Sequence, residues 1–232
     1  EKYVDIDRLL ELTKQVAPAA LPMSVSHRTY RREPSFTVAI ARDPAFNFMY
    51  EANIRYLHHL GEVTYFSPLA DTSLPDAGFV YLPGGYPELY LAALSANRLM
   101  LQSIRRYVEN GGKLLAECGG MMYLCDEIRD KNGDVYPMAG VLHQSATMEN
   151  MKLRLGYRTL LYNDARLKGH EFHYSRLVEQ QDPLPSCAVA YTAKGVETDT
   201  PLYHYKNVWA GYTHLYWADP AGNDWFTKFI IK

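Results

Sequence analysis

The sequence predicts an α/β fold: a mostly parallel sheet flanked by helices, with additional β strands in the C-terminal half. Three observations carry this. Between Phe36 and Glu117, short β-type runs alternate with helical patterns, as in successive β-α-β units. After about Pro137 the pattern turns to β runs. Between these regions, Lys113-Leu114-Leu115-Ala116-Glu117 runs into Cys118-Gly119-Gly120 and then into Met121-Met122-Tyr123-Leu124, which continues only as a helix. That is the layout of a nucleophile at a sharp strand-to-helix turn.

Taken in order, residues 1–20 hold one amphipathic pattern with Leu9, Leu10, Leu12 and Val16 as its apolar positions, closed by Pro18 and Pro22. Residues 24–34 are polar and basic and are expected to be a linker with Arg28, Arg31 and Arg32 solvated. This gives a division into residues 1–34, a connecting helix and linker, and 35–232, the main domain. Phe36 to Ala41 is the first strand. Asn47 to Leu60 is a helix stopped by Gly61. Val63–Phe66 and Gly78–Leu82 are the second and third strands. Pro83–Glu88 is a turn opening a helical region to about Asn110, capped by Gly111-Gly112, and Lys113–Glu117 is the next strand. Further β runs are expected at Met138–Leu142, Leu155–Leu161, Glu171–Leu177, Ala188–Tyr191 and Val208–Tyr212, with a last helix from Asp224 to Ile231.

The 232 residues suffice for a substantial core, and 47% hydrophobic with 22% charged residues is ordinary for a globular chain. A formal charge of −2 offers no bulk attraction to nucleic acid or an anionic membrane. There is no apolar run of about 18 residues, the length a membrane helix needs. The N-terminus is polar and does not begin with Met, so the chain is expected to be part of a longer protein. Three cysteines, Cys118, Cys125 and Cys187, fit a reducing cytoplasm better than a disulfide framework, and no metal-ligand spacing occurs.

A packing cysteine has no need of glycines beside it, so Cys118 is the candidate nucleophile. The N–H groups of the following helix are expected to favour its thiolate. The N–H of Gly119 is one candidate oxyanion donor, and the Gly84-Gly85 turn at the end of the preceding strand supplies the other, because strand C-termini of a parallel sheet gather on one edge. Of eight histidines, His58 and His59 lie on a helix surface. His27 is in the linker, and His143 and His204 have no supporting pattern. Spacing leaves three candidate bases open: His170 and His173 in Gly169-His170-Glu171-Phe172-His173-Tyr174-Ser175, and His214.

These runs together resemble the glutaminase domain of the cobyrinate a,c-diamide synthases, class I-like glutamine amidotransferases of flavodoxin-like fold. The matching strings are Ala39–Phe48, Phe66–Leu69, Leu82–Glu88, Ala116–Gly120, Tyr136–Met138 and Gly169–Ser175, in the family's order. The resemblance implies a glutamine-hydrolysing ligase. Ammonia released through a Cys118 thioester passes to an N-terminal ATP-dependent synthetase domain, which amidates the a and c carboxylates of cobyrinate in cobalamin biosynthesis. It makes His214 the residue that raises the nucleophilicity of Cys118, with Gly85 and Gly119 as the oxyanion hole. The acid that related enzymes carry two residues after this histidine is Tyr216 here, so a Cys–His dyad is expected. Glu171 or a backbone carbonyl is the candidate to orient His214. Phe48, Tyr86, Glu171 and His173 are the candidate pocket residues.

No G-x-x-x-x-G-K-[ST] string occurs, so no cofactor is expected in this chain; ATP and magnesium belong to the synthetase domain. Other readings are the glutaminase of a related tetrapyrrole amidotransferase, acting on hydrogenobyrinate or nickel-sirohydrochlorin, a cysteine hydrolase on the same scaffold, or a degenerate docking domain.

Overall fold

The computed structural model describes residues 5–14 and 36–231. The chain divides into two units, Glu1–Arg31 and Arg32–Lys232. In the first, α1 spans Ile6–Lys14 and includes Leu9, Leu10 and Leu12. Val16 and residues 24–34 lie outside the described residues.

The second unit opens with β1 (Thr37–Ala41), α2 (Glu51–Leu60), β2 (Glu62–Phe66), β3 (Phe79–Leu82), α3 (Leu91–Ala96), α4 (Arg98–Glu109), β4 (Lys113–Glu117) and α5 (Gly119–Leu124). Short strands follow: β5 (Glu127–Arg129), β6 (Val135–Pro137) and β7 (Ser145–Thr147). A long hairpin of β8 (Arg154–Tyr162) and β9 (Ala165–His173) comes next, then β10 (Arg176–Leu177), β11 (Val189–Thr192), β12 (Glu197–Thr198), β13 (Leu202–Tyr205), β14 (Val208–Gly211) and β15 (His214–Tyr216). α6 (Pro220–Trp225) and a π-helical turn at Phe226–Ile231 close the chain.

Three sheets result. The main one has strand order β13-β14-β4-β3-β1-β2, parallel except where β13 runs against β14. Its central strands are apolar in their interiors, and Val38–Ala41, Phe79–Leu82 and Leu114–Ala116 are buried, as expected of a parallel sheet covered on both faces. An antiparallel sheet of order β12-β11-β8-β9-β15 and a small sheet of order β10-β7-β5-β6 hold the other strands that follow α5.

Four expectations are corrected. α2 begins at Glu51 rather than Asn47, because Phe48 is drawn into a bridge with Gly84, its N–H donating to the Gly84 carbonyl at 2.9 Å. The helical region before β4 is split at Asn97, whose side chain caps α4 and donates to the carbonyls of Pro68 and Asp71 at 2.8 Å each. Met138–Leu142 is not a strand. It wraps the end of α5, with the N–H groups of Ala139, Gly140 and Val141 donating to the carbonyls of Tyr123, Cys125 and Leu124. The last helix starts at Pro220, where Asp219 caps it by accepting from the Gly222 N–H at 2.8 Å.

Candidate active site

The pairing of β3 with β4 brings Leu82 opposite Ala116, so the Gly84-Gly85 turn and Cys118 leave the sheet side by side. On the other flank β14 pairs with β4, and the Cys118 N–H donates to the Gly211 carbonyl at 2.8 Å. Two residues separate β14 from β15, so the chain steps from the parallel sheet into the antiparallel one and delivers His214 to the same corner. His214 starts a strand of its own, in register with His170.

Cys118 has φ 48° and ψ −107°. A non-glycine residue in such a conformation stores about 1–3 kcal/mol of strain, held in place by the surrounding structure. The glycines around it answer to contacts. A Cβ on Gly120 would overlap the Leu82 carbonyl, which is backbone and cannot retreat. A Cβ on Gly119 would lie 2.7 Å from Cδ of Pro87 and 3.3 Å from the Gly85 nitrogen, so the N-terminus of α5 and the Gly85 N–H are close neighbours. Gly85, at φ 157°, leaves no room for a Cβ beside the Ala45 carbonyl, which accepts from the Tyr86 N–H at 3.0 Å. Asp43 holds that loop: Oδ1 accepts from the N–H groups of Ala45 and Phe46, and Oδ2 from the Ser67 hydroxyl and the Leu69 N–H.

His214 is buried, with its ring against the α-carbon of Gly84. The Phe48 ring packs on it at 4.5 Å between centroids and the His170 ring at 5.2 Å. Its Nδ1 has no hydrogen-bond partner among the described residues and lies 3.9 Å from Oε2 of Glu117. Burial, with His170 and His173 nearby, pulls its pKa down to about 3. Burial pushes the Cys118 thiol up to about 12; the carboxylates of Glu88, Glu117 and Glu171 add to the rise, and the Gly119 N–H pulls the other way. The resting pair is therefore neutral thiol and neutral imidazole. This corrects the expectation of a favoured thiolate: the N-terminus of a six-residue helix does not offset burial among carboxylates.

A small cleft opens on Cys118, lined by Gly85, Tyr86, Glu88, His173 and Ser175 among others. Of the candidate pocket residues, Tyr86 and His173 line this cleft, and Phe48 packs on His214 instead. Glu171 faces a second, neighbouring cavity with Arg154 and Tyr212. It does not orient His214. Its Oε2 pairs with Arg158 at 2.8 Å, and its Oε1 accepts from the Thr213 hydroxyl at 3.2 Å. His173 lies stacked on Tyr212, 3.8 Å between centroids, with Nδ1 meeting the Ser175 carbonyl at 2.8 Å. His170 is held by the Tyr50 hydroxyl at its Nδ1, 2.6 Å away.

Sequence reasoning missed Glu117, Glu88 and Asn53. Glu117 is a charged residue closing an otherwise apolar buried strand, a signal that was present. Asn53 reaches across from α2 to clamp β15: its Nδ2 donates to the Leu215 carbonyl at 2.8 Å and its Oδ1 accepts from the Trp217 N–H at 3.1 Å. Nothing in the helical pattern of α2 marks it.

Residues 37–222 match the family described as the CobB/CobQ-like glutamine amidotransferase domain. The chain belongs to this family. It is 37% identical over 235 residues to a cobyrinate a,c-diamide synthase of Dehalococcoides mccartyi, an alignment covering 94% of the chain and 50% of that protein. It is 38% identical over 205 residues to a hydrogenobyrinate a,c-diamide synthase of Pseudomonas aeruginosa, covering 86% and 44%. The chain thus spans about half the length of the curated relatives it matches. Among solved structures, a glutamine amidotransferase matches with a TM-score of 0.54 at 15% identity, covering 84% of this chain and 99% of that one. PurLQS from Thermotoga maritima matches at 0.52 and 16%, covering 78% and 87%. These confirm the class I amidotransferase fold. This glutamine amidotransferase domain has no helix, among its described residues, long and apolar enough to cross a membrane.

Proposed function

We propose that this chain is the glutaminase half of an ATP-dependent enzyme that amidates the a and c side-chain carboxylates of cobyrinate or hydrogenobyrinate. The observation that carries the chemistry is the strained Cys118 turn, with Gly84-Gly85 and His214 on the same corner. Glutamine enters the cleft. His214 takes the thiol proton as Cys118 attacks the side-chain amide carbon, so charge appears only with substrate in place. The N–H groups of Gly119 and Gly85 receive the developing oxyanion; losing one such donor typically costs on the order of 100- to 1,000-fold in rate. Protonated His214 gives its proton to the departing ammonia, and water then cleaves the thioester to glutamate. Tyr86 and His173 shape the cleft, and Glu88 supplies the acidic group that suits the α-ammonium of glutamine. Phe48 serves by holding the His214 ring.

ATP and magnesium serve the synthetase domain that we place in the rest of the protein. Gly111-Gly112-Lys113 closes a helix and opens β4, the reverse of the strand-to-helix order a phosphate loop requires. The names of the relatives and the half-length match support that partner and the tetrapyrrole acceptor, and the three free cysteines suit the cytoplasm.

The test is ammonia release from glutamine by the full-length protein, with mass-spectrometric labelling by a chloroketone analogue of glutamine. Cys118→Ser is expected to lose both activity and label, and His214→Ala to lose activity while His173→Gln retains part of it. Label on another residue would overturn the assignment. Amidation of cobyrinate and hydrogenobyrinate with ATP then identifies the acceptor.

A further inference from the structure

The geometry points to Glu117 as the acid of this site, a positioning residue that faces Nδ1 of His214 and holds the imidazole with its Nε2 lone pair free to take the thiol proton. This rests on the Cys118–His214 reading above and adds to it a third member where a dyad is expected. Three observations carry it. Glu117 is 1% exposed, and no lysine or arginine pairs with it among the described residues. Its oxygens are held by uncharged donors: Oε2 accepts from the Tyr81 hydroxyl at 2.7 Å, and Oε1 from the Leu215 N–H at 3.2 Å and the Trp217 indole at 3.4 Å. Oε2 also faces Nδ1 of His214 at 3.9 Å, a nitrogen with no hydrogen-bond partner among the described residues.

A buried carboxylate and a buried, unpartnered ring nitrogen are each costly alone. Together they fit a base about to be protonated. When His214 becomes imidazolium, the Glu117 carboxylate offsets its charge and draws the contact in, as catalytic hydrogen bonds that are long in the resting state do. The position also explains Tyr216: the acid comes from the strand that carries the nucleophile, so none is needed two residues after the histidine.

The groups facing this pair are Tyr81 from β3, Tyr50 from the loop before α2, and His170 and His173 from β9. Burial raises the Glu117 carboxyl to about 7, against the pull of its hydrogen-bond donors. The ionised form needed here therefore appears near neutral pH.

The experiment is Glu117→Gln in the full-length protein, followed by glutamine turnover and by ¹⁵N resonances of labelled histidine, with His214 identified by its own substitution. The expected result is a fall in kcat of about 100-fold or more with KM within about threefold, as when a triad acid becomes an amide. The wild-type kcat/KM limb rising through neutral pH should vanish in the variant, and His214 in the resting wild-type protein should carry its proton on Nδ1. Turnover in Glu117→Gln close to wild type, or persistence of the limb, overturns the inference. So does a wild-type His214 protonated on Nε2, which decides the matter even where the variant fails to fold. Cys118→Ser and His214→Ala stay inactive in every one of these cases, so failure here is separate from failure of the Cys118–His214 reading.

Discussion

The imidazole of His214 rests on the α-carbon of Gly84, so that a methyl group there would overlap Cε1 and lie 2.9 Å from Nδ1. The ring cannot move aside freely, with Phe48 on one side and His170 on another. Gly84→Ala is expected to displace the base without breaking the sheet. Ammonia release should fall about 100-fold, the scale of an ångström-level misplacement, with little change in thermal midpoint.

Gly120→Ala is expected to do the opposite. The clash is with the Leu82 carbonyl, inside the sheet. Forcing a methyl into such packing costs about 1–3 kcal/mol or more, a drop of several degrees in Tm for a chain of this size. Differential scanning calorimetry of the two alanine variants separates a site glycine from a packing glycine.

Asn53→Ala leaves the Leu215 carbonyl and the Trp217 N–H without their buried partner. Each orphaned group costs about 1–3 kcal/mol. Because both follow His214 closely, Leu215 on β15 and Trp217 just past it, kcat should fall more than KM rises, which steady-state kinetics with glutamine checks.

Arg158 is the cationic partner of Glu171, and both side chains are almost wholly buried. Arg158→Ala strands the carboxylate, and removing one member of a buried pair typically costs about 3–5 kcal/mol. Urea unfolding at neutral pH measures it. Arg154, whose partner Asp199 is exposed, should cost much less on truncation.

The pH dependence of stability follows from two opposed groups. His214 is held neutral by burial, its pKa lowered to about 3. Below the ordinary histidine value near 6.5 the unfolded chain binds a proton that the folded chain refuses, so stability falls as pH drops from about 6.5 toward 3. Glu117 is raised to about 7, so between about 4.5 and 7 the folded chain binds the extra proton and stability falls as pH rises. Glu117→Gln removes the second loss. Its unfolding free energy should exceed wild type at pH 8 by more than it does at pH 5, as urea titrations at the two pH values would reveal.

Much of the site was legible because it is local in the chain. The cysteine turn, the paired glycines and the β4 boundaries follow from residue order, and α/β alternation places strand ends on one edge. What was not legible depends on register and on how the two sheets join. His170 and His214 could not be told apart by spacing because they are partners across one ladder and both reach the site. Glu117 was passed over because alternation along a strand does not say that β15 returns beneath it with an unpartnered nitrogen. Met138–Leu142 reads as a strand in the sequence because an apolar run has the same composition whether it pairs in a sheet or wraps a helix end.

The strain at Cys118 has an evolutionary reading. At φ 48° and ψ −107° the backbone would be more relaxed with glycine, which carries no Cβ penalty there. Under the mechanism proposed above, the cysteine serves turnover at a cost to the fold. A descendant of this domain released from hydrolysing glutamine is expected to drift to Cys-to-Gly at this turn and to gain stability by it. Glycine at that position in a relative is then the mark of a lineage that kept the scaffold and abandoned the reaction.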